Sequence, residues 1–296
     1  MVFISNESGY TSEDIENCVT CKGPFPCMPC KKSEISTDER LFAENYVAES
    51  ILFNSANGII YNGRSIKSGK KVIIKQIARS KCKKLIKVNK KLCPSEIYYH
   101  KMASQLSPGV VQILDYYARS TSYVIVMEHL DGYLDLFEFS SKYGKLNETA
   151  GKLIMKKIVK ICVDLENGGI CHRDIKDENI LINAKTLDVK VIDFGCASVT
   201  AVYAECAGTP EYFPPEWFLW NKYESNTLTV WSLGCLLLIL LCGNIIVENN
   251  ALKREQFMEK DLSQNAKLLI DSMLKTNPNK RINLNNILKS PWFNNY

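Results

Sequence analysis

Two regimes of apolar patterning divide the chain. From about Tyr46 to Glu128 short β-branched runs dominate, and KKVIIKQI (70–77) and YVIVME (123–128) read as strands. Between them, PSEIYYHKMASQL (94–106) opens on Pro94-Ser95 and predicts a helix. After Gly132 the period lengthens. In TAGKLIMKKIVKICVDLENGG (149–169), Ile154, Ile158, Ile161 and Leu165 share one helical face, which Gly168-Gly169 end. Two short strand candidates follow, NILIN (179–183) and VKVID (189–193), and then helices over roughly 226–242, 262–274 and 283–289. The run Val230–Val247 is about one bilayer thickness of helix. It contains Ser232, Gly234, Gly243 and Asn244 and has no close basic flanks, so a buried core helix is the expectation. A strand-rich smaller half therefore precedes a helix-rich larger half, an α+β chain with a cleft expected between two lobes.

Composition narrows the class. The 296 residues are 46% apolar and 23% charged, with a mean hydropathy of −0.12, which excludes collagen, global disorder and a multi-span membrane protein. Residues 1–44 carry eight acidic against four basic residues and no apolar period, and read as a flexible arm. The net charge of +5 hides an asymmetry: between Lys67 and Lys91 lie 11 basic residues and no acidic one. Such a run is ordinarily a solvated face, although a nuclear signal or an acidic partner would also use it. No aromatics interleave it, so base stacking has no support and nucleic acid is not an expected partner.

Twelve cysteines would suggest disulfides in a secreted chain, but MVFISNESGYTSED has no basic n-region and no long apolar stretch. Reduced thiols in the cytoplasm or nucleus are expected. Cys162, Cys235 and Cys242 fall on helical apolar faces and read as core thiols. Cys18-x-x-Cys21 and Cys27-x-x-Cys30 are paired like zinc ligands, with a short five-residue spacer. Zinc, a redox or disulfide pairing and an unliganded tail all stay open for these four.

The candidate chemistry sits in three places. HRDIKDEN (172–179) lies between a helix and a strand, where one loop can aim Asp174, Lys176 and Asn179 at one point. Asp174 could take a hydroxyl proton, Lys176 neutralise phosphate charge and Asn179 ligate a hard cation. DFG (193–195) ends an apolar strand, and Asp193 offers a second oxygen ligand for Mg²⁺. Lys75 stands inside the apolar run VIIKQI and needs an anionic partner, for which Glu96 is placed on the following helix.

These residues, with GTPEYFPPE (208–216), WSLG (231–234) and Arg281, occur in the order of the eukaryotic protein kinase signature, and the chain resembles that family over about residues 45–294. DLFEF (135–139), HRDIKDENILI (172–182), VIDFG (191–195), PPEW (214–217) and VWSLG (230–234) are similar to PIM-type serine/threonine kinases in particular. The resemblance implies a bilobal α+β fold, with an N-lobe over about 45–128, a C-lobe over about 133–294 and the active site in the cleft. It implies ATP with Mg²⁺, or Mn²⁺, as cofactors and protein Ser/Thr hydroxyls as substrate. Leu52, Gly58, Ile60, Lys75, Met127, Glu128 and Leu130 would surround the nucleotide. Lys75, Glu96, Asp174 and Lys176 would serve catalysis, and Asn179 and Asp193 the metal. Thr209 would pack on the catalytic loop, Asp135, Glu138 and Glu178 would read basic residues near the phosphoacceptor, and Glu216 and Arg281 would form a buried pair. A monomer, away from membranes and active without activation-loop phosphorylation, is expected.

The chain departs from the family in its glycine-rich loop. Phe53-Asn54-Ser55-Ala56-Asn57-Gly58 occupies the G-x-G-x-x-G window and keeps only the last glycine. An active kinase with a stiffer lid is one expectation, and a weak or inactive kinase-fold scaffold the alternative. His100, one turn after Glu96, stands where kinases usually place an apolar residue, and Leu130 where PIM-type hinges carry proline. Leucine there retains an N–H that could read adenine, with Met127 as gatekeeper.

Overall fold

The computed structural model describes residues 35–55, 58–82, 84–88, 91–243, 247–248, 251–252 and 262–294. These divide into two compact units, one holding the chain up to Ser104 together with Val111–Leu130, the other Gln105–Val110 and the chain from Asp131 onward.

The first unit is built on a five-stranded antiparallel sheet in the order β1-β2-β3-β7-β6. Its strands are β1 (Tyr46–Ser55), β2 (Gly58–Ser65), β3 (Lys71–Ala78), β6 (Ile113–Ala118) and β7 (Ser122–Glu128). The β-branched runs form β3 and β7 because alternate residues can bury against one face: Val72, Ile74, Val124 and Val126 cluster with Tyr117. Helix α1 (Ile35–Asn45) completes this core by packing Leu41 and Phe42 against it. This corrects the expected arm over 1–44: residues 35–44 are helical. Too few apolar positions mark the helix in sequence, and tertiary contacts hold it. Asp38 accepts a hydrogen bond from the Ala118 amide (2.8 Å), and Phe42 meets Tyr117 edge-on at 5.5 Å.

The lysine-rich run after β3 also holds regular structure. A short hairpin, β4 (Leu85–Val88) and β5 (Lys91–Pro94), leads directly into helix α2 (Ser95–Leu106). Leu85, Val88 and Cys93 are buried among the lysines and anchor it. His100 of α2 is buried, and its Nε2 lies 2.8 Å from the Val111 carbonyl, so the imidazole satisfies a main-chain acceptor where an aliphatic residue would not.

In the second unit, helices α3 (Leu136–Tyr143) and α4 (Glu148–Asn167) follow a short strand, β8 (Tyr133–Asp135). Ile154, Ile158, Ile161 and Leu165 form the buried face of α4, and Gly168 caps its end. Next come β9 (Ile170–Cys171), β10 (Ile180–Asn183), β11 (Val189–Val191), β12 (Ser198–Val199) and β13 (Val202–Tyr203). Helix α5 (Pro215–Trp220), strand β14 (Tyr223–Glu224) and helix α6 (Ser225–Cys242) follow, then a short strand pair, β15 (Val247–Glu248) and β16 (Ala251–Leu252), and helix α7 (Gln264–Met273). β10 pairs with both β11 and β8, β9 with β12, and β13 with β14. Helix α6 is apolar all round and long enough to span a bilayer by composition, yet 72% of it is buried within the protein. The helix expected over 283–289 is instead a 3₁₀ stretch, Leu284–Lys289, started by the Asn283 side chain on the Asn285 amide. Cys162, Cys235 and Cys242 are buried thiols outside any disulfide, and burial pushes Cys235 up to about 12, away from reactivity.

Candidate active site

In the first unit the nucleotide-directed candidates gather around β3. Lys75 pairs across the ladder with Ile60 of β2 and Ile125 of β7, so its side chain emerges within an apolar sheet. It is only 6% exposed, and its ammonium meets the Glu96 carboxylate at 2.6 Å. A buried cation is tolerated only with such a partner. The first turn of α2 supplies it, because Ser95 starts that helix immediately before Glu96. Met127 is buried at the end of β7, Ile60, Glu128 and Leu130 are half-buried, and Leu52 is exposed on β1.

The glycine window resolves residue by residue. Phe53 lies in β1 opposite Ile60 and is 60% exposed. It is absent from the described residues with positive φ, so ordinary strand backbone suits it. Gly58 opens β2 with φ of 151°, and a Cβ there would lie 2.5 Å from the Gln76 carbonyl oxygen. The retained glycine is thus the one that the backbone requires.

In the second unit the loop 172–179 forms a closed network around Asp174. Its Oδ1 accepts from the Thr209 hydroxyl (2.8 Å) and its Oδ2 from Asn179 Nδ2 (2.9 Å). Asn179 Nδ2 also donates to the Asp174 carbonyl (2.8 Å), which leaves the Asn179 amide oxygen for another partner. Lys176 Nζ stands 3.9 Å from Asp174 Oδ2 and 3.1 Å from Glu178. Burial opposes its charge, but Asp174, Glu178 and Asp193 outweigh that and raise its pKa. Gly208 completes the support: with φ of 111°, any Cβ would lie 2.4 Å from the Arg173 carbonyl oxygen. Asp193 holds a left-handed backbone (φ 60°), an uncommon conformation for a non-glycine, and its Oδ1 accepts from the Gly195 amide.

Around this network stand residues that motif spacing did not single out. His172 Nε2 faces the Ile192 carbonyl and Nδ1 faces the Asp174 amide, which selects the neutral Nε2–H tautomer. Burial pushes its pKa below the ordinary histidine range, in keeping with that tautomer. Its ring meets buried Phe194 edge-on at 4.8 Å. Asp177 accepts from the buried Tyr212 hydroxyl at 2.8 Å and ties the loop to the PEYF turn. Arg173, also at positive φ, is buried. It donates to the Cys196 carbonyl (2.7 Å), pairs with Glu205 (3.1 Å) and lies over the Tyr203 ring. Position 173 was visible within the HRD motif, whereas nothing local marks Glu205.

The other candidates are scattered by role. Asp135 caps α3 by accepting from the Glu138 amide (2.7 Å), while Glu138 and Glu178 are exposed. Glu216 and Arg281 meet in a two-pronged pair at 2.7 and 2.8 Å, almost fully buried. Cys18, Cys21, Cys27 and Cys30 lie outside the described residues. Among the described residues no cluster of three His, Cys, Asp or Glu could hold a metal.

The protein kinase domain description matches residues 46–293. The chain belongs to the protein kinase family. Among the similar proteins, the serine/threonine-protein kinase pim-2 of Danio rerio is 36% identical over 264 residues, 85% of each chain. The serine/threonine-protein kinase prk-2 of Caenorhabditis elegans is 32% identical over 268 residues, 85% of this chain and 58% of that protein. Serine/threonine-protein kinase 1 of African swine fever virus (strain Badajoz 1971 Vero-adapted) is 28% identical over 281 residues, 93% of this chain and 88% of the viral one. The kinase described here thus carries its PIM-type resemblance through nearly the whole domain, and its bilobal α+β class follows from the family.

Proposed function

We propose that this protein transfers the γ-phosphate of ATP to serine or threonine hydroxyls of protein substrates. The observation that carries the reading is the fixed Asp174 carboxylate, held by Thr209 and Asn179 beside Lys176. Phosphoryl transfer needs position and charge neutralisation more than covalent chemistry. Asp174 orients the substrate hydroxyl and accepts its proton. Lys176 balances charge on the transferring group. Lys75, held by Glu96, binds the α- and β-phosphates. Asn179 and Asp193 suit Mg²⁺, or Mn²⁺, because both present oxygens and Asn179 keeps its amide oxygen available. The bound metal neutralises phosphate charge. Leu52, Gly58, Ile60, Met127, Glu128 and Leu130 line the nucleotide's place. The inactive-scaffold alternative loses its main motive, since Phe53 occupies ordinary strand backbone.

Activity independent of activation-loop phosphorylation is supported by Glu205, a carboxylate already paired with Arg173. Glu205→Gln is expected to lower kcat about tenfold, the scale of one charge-assisted hydrogen bond. Limited proteolysis should show faster cleavage between Gly195 and Gly208. Unchanged kcat and cleavage would contradict the assignment.

A preference for basic residues near the phosphoacceptor is supported by exposed Glu138 and Glu178. Asp135 is occupied as a helix cap and contributes its charge alone. The test compares a serine peptide with arginines preceding the serine to the same peptide with alanines. The reading expects kcat/KM to fall about tenfold or more for the alanine peptide, by about 1 kcal/mol or more per lost charge contact. Equal values would overturn it.

The protein acts as a cytoplasmic or nuclear monomer away from membranes, a reading supported by its cysteine usage, in which Cys162, Cys171 and Cys235 are buried thiols outside any disulfide. Paired spacing supports zinc at Cys18, Cys21, Cys27 and Cys30. Metal analysis of the purified chain should then find stoichiometric zinc that is lost in Cys18→Ser/Cys21→Ser; zinc-free protein would refute it.

A further inference from the structure

Residues early in α1 and Arg79, which directly follows β3, grip the same tight turn. Asp38 takes the Ala118 amide, and Glu39 reaches the Ser120 hydroxyl (3.2 Å) and the Arg119 guanidinium (3.5 Å). From the other side, Arg79 donates to the Arg119 carbonyl (2.9 Å) and the Tyr123 hydroxyl (2.8 Å), and its amide to the Thr121 carbonyl (3.0 Å). The N-terminal part of α1 and Arg79, where an unbroken basic stretch begins, thus share the turn at Arg119. Lys81 and Lys84 are exposed, Lys87 is half-buried on β4, and no acidic residue occurs between Arg79 and Pro94.

The segment before α1 has the complementary charge. Residues 1–17 contain Glu7, Glu13, Asp14 and Glu16 and no lysine or arginine. The 19 steps from Glu16 to Ile35 can span at most about 65 Å, ample for a hairpin whose strands are four residues long. A tethered segment also acts at high effective concentration.

We propose that the acidic N-terminal segment, residues 1–17, seats on the basic β4–β5 hairpin of its own chain. The hairpin is mechanically joined to the helix bearing Glu96: Pro94 pairs with Leu85, and the Ser95 amide donates to the Lys84 carbonyl at 3.0 Å. A seated segment therefore bears on the helix that holds Lys75. It also shields the hairpin from external polyanions, for which the stretch has no stacking aromatics.

Carbodiimide cross-linking of the full-length chain reads this contact without relying on kinase activity. A mixture of ¹⁴N- and ¹⁵N-labelled protein separates links within one chain from links between chains. At about 10 mM salt, where screening reaches roughly 30 Å, links should join Glu13, Asp14 or Glu16 to Lys81, Lys84 or Lys87 within one chain. They should fall about fivefold or more at about 1 M salt, where the screening length is roughly 3 Å. Lys81→Glu/Lys84→Glu/Lys87→Glu should abolish them, and adding Glu13→Lys/Asp14→Lys/Glu16→Lys should restore them with reversed polarity. Absent links at low salt, or links only between chains, would overturn the proposal. So would a DNA duplex that binds wild type and the segment-reversed variant equally, since the hairpin would then be open to an external polyanion.

Discussion

Replacing Asp174 by asparagine is expected to lower kcat about 10²- to 10⁴-fold, the scale of a lost general base, with little change in thermal stability. The local hydrogen bonding explains the separation. Asn179 Nδ2 already donates to the Asp174 carbonyl and must meet an acceptor at Oδ2. An amide at position 174 can present its oxygen there and turn its NH₂ toward Thr209, whose hydroxyl can rotate to accept. The loop therefore survives while the carboxylate's basicity and charge disappear. Single-turnover phosphate transfer, run beside a thermal melt, checks both halves. Retained activity would remove Asp174 from its assigned role, and a collapsed melting temperature would make it structural instead.

Arg281→Met should act in the opposite way, on stability first. The Arg281 guanidinium pairs with both Glu216 oxygens, donates to the Thr227 and Lys275 carbonyls, and lies 5.0 Å from the Trp231 ring centroid. Methionine fills comparable apolar volume but strands a carboxylate that is 2% exposed. Breaking a buried pair from one side costs about 3–5 kcal/mol, which should lower Tm by roughly 6–20 °C in a unit of this size. Glu216→Gln/Arg281→Met should recover part of the loss, because no unpaired charge is then buried. Additive losses in the double variant would show that the pair is not coupled.

What could be read from the residues alone follows a physical division. The candidates Lys75, Asp174, Asn179 and Asp193 are legible because the proposed phosphoryl transfer demands those groups at set separations along a loop or strand. Lys75 was doubly marked, as a charge inside an apolar run that required Glu96. The Arg173–Glu205 pair was not legible: its partners lie 32 positions apart, and glutamate in a loop carries no pattern. In sequence, helix α1 reads as part of an arm because Leu41 and Phe42 alone do not mark a face, and its anchors Ala118 and Tyr117 are remote in sequence. Lysines concealed the β4–β5 hairpin in the same manner, since its buried Leu85, Val88 and Cys93 are separated by charge. Phe53 is the position at which the sequence leaves two readings open. Its residue type motivates the damaged-loop alternative, and the strand conformation at that position makes no demand for glycine.

The most direct test of the kinase assignment is transfer of labelled γ-phosphate from ATP, with Mg²⁺, to an arginine-flanked serine peptide, with Lys75→Met and Asp193→Asn proteins alongside. The account predicts transfer by the wild-type chain and its loss in both variants. No transfer by wild-type protein with a cooperative thermal melt, or equal transfer by all three proteins, would contradict it.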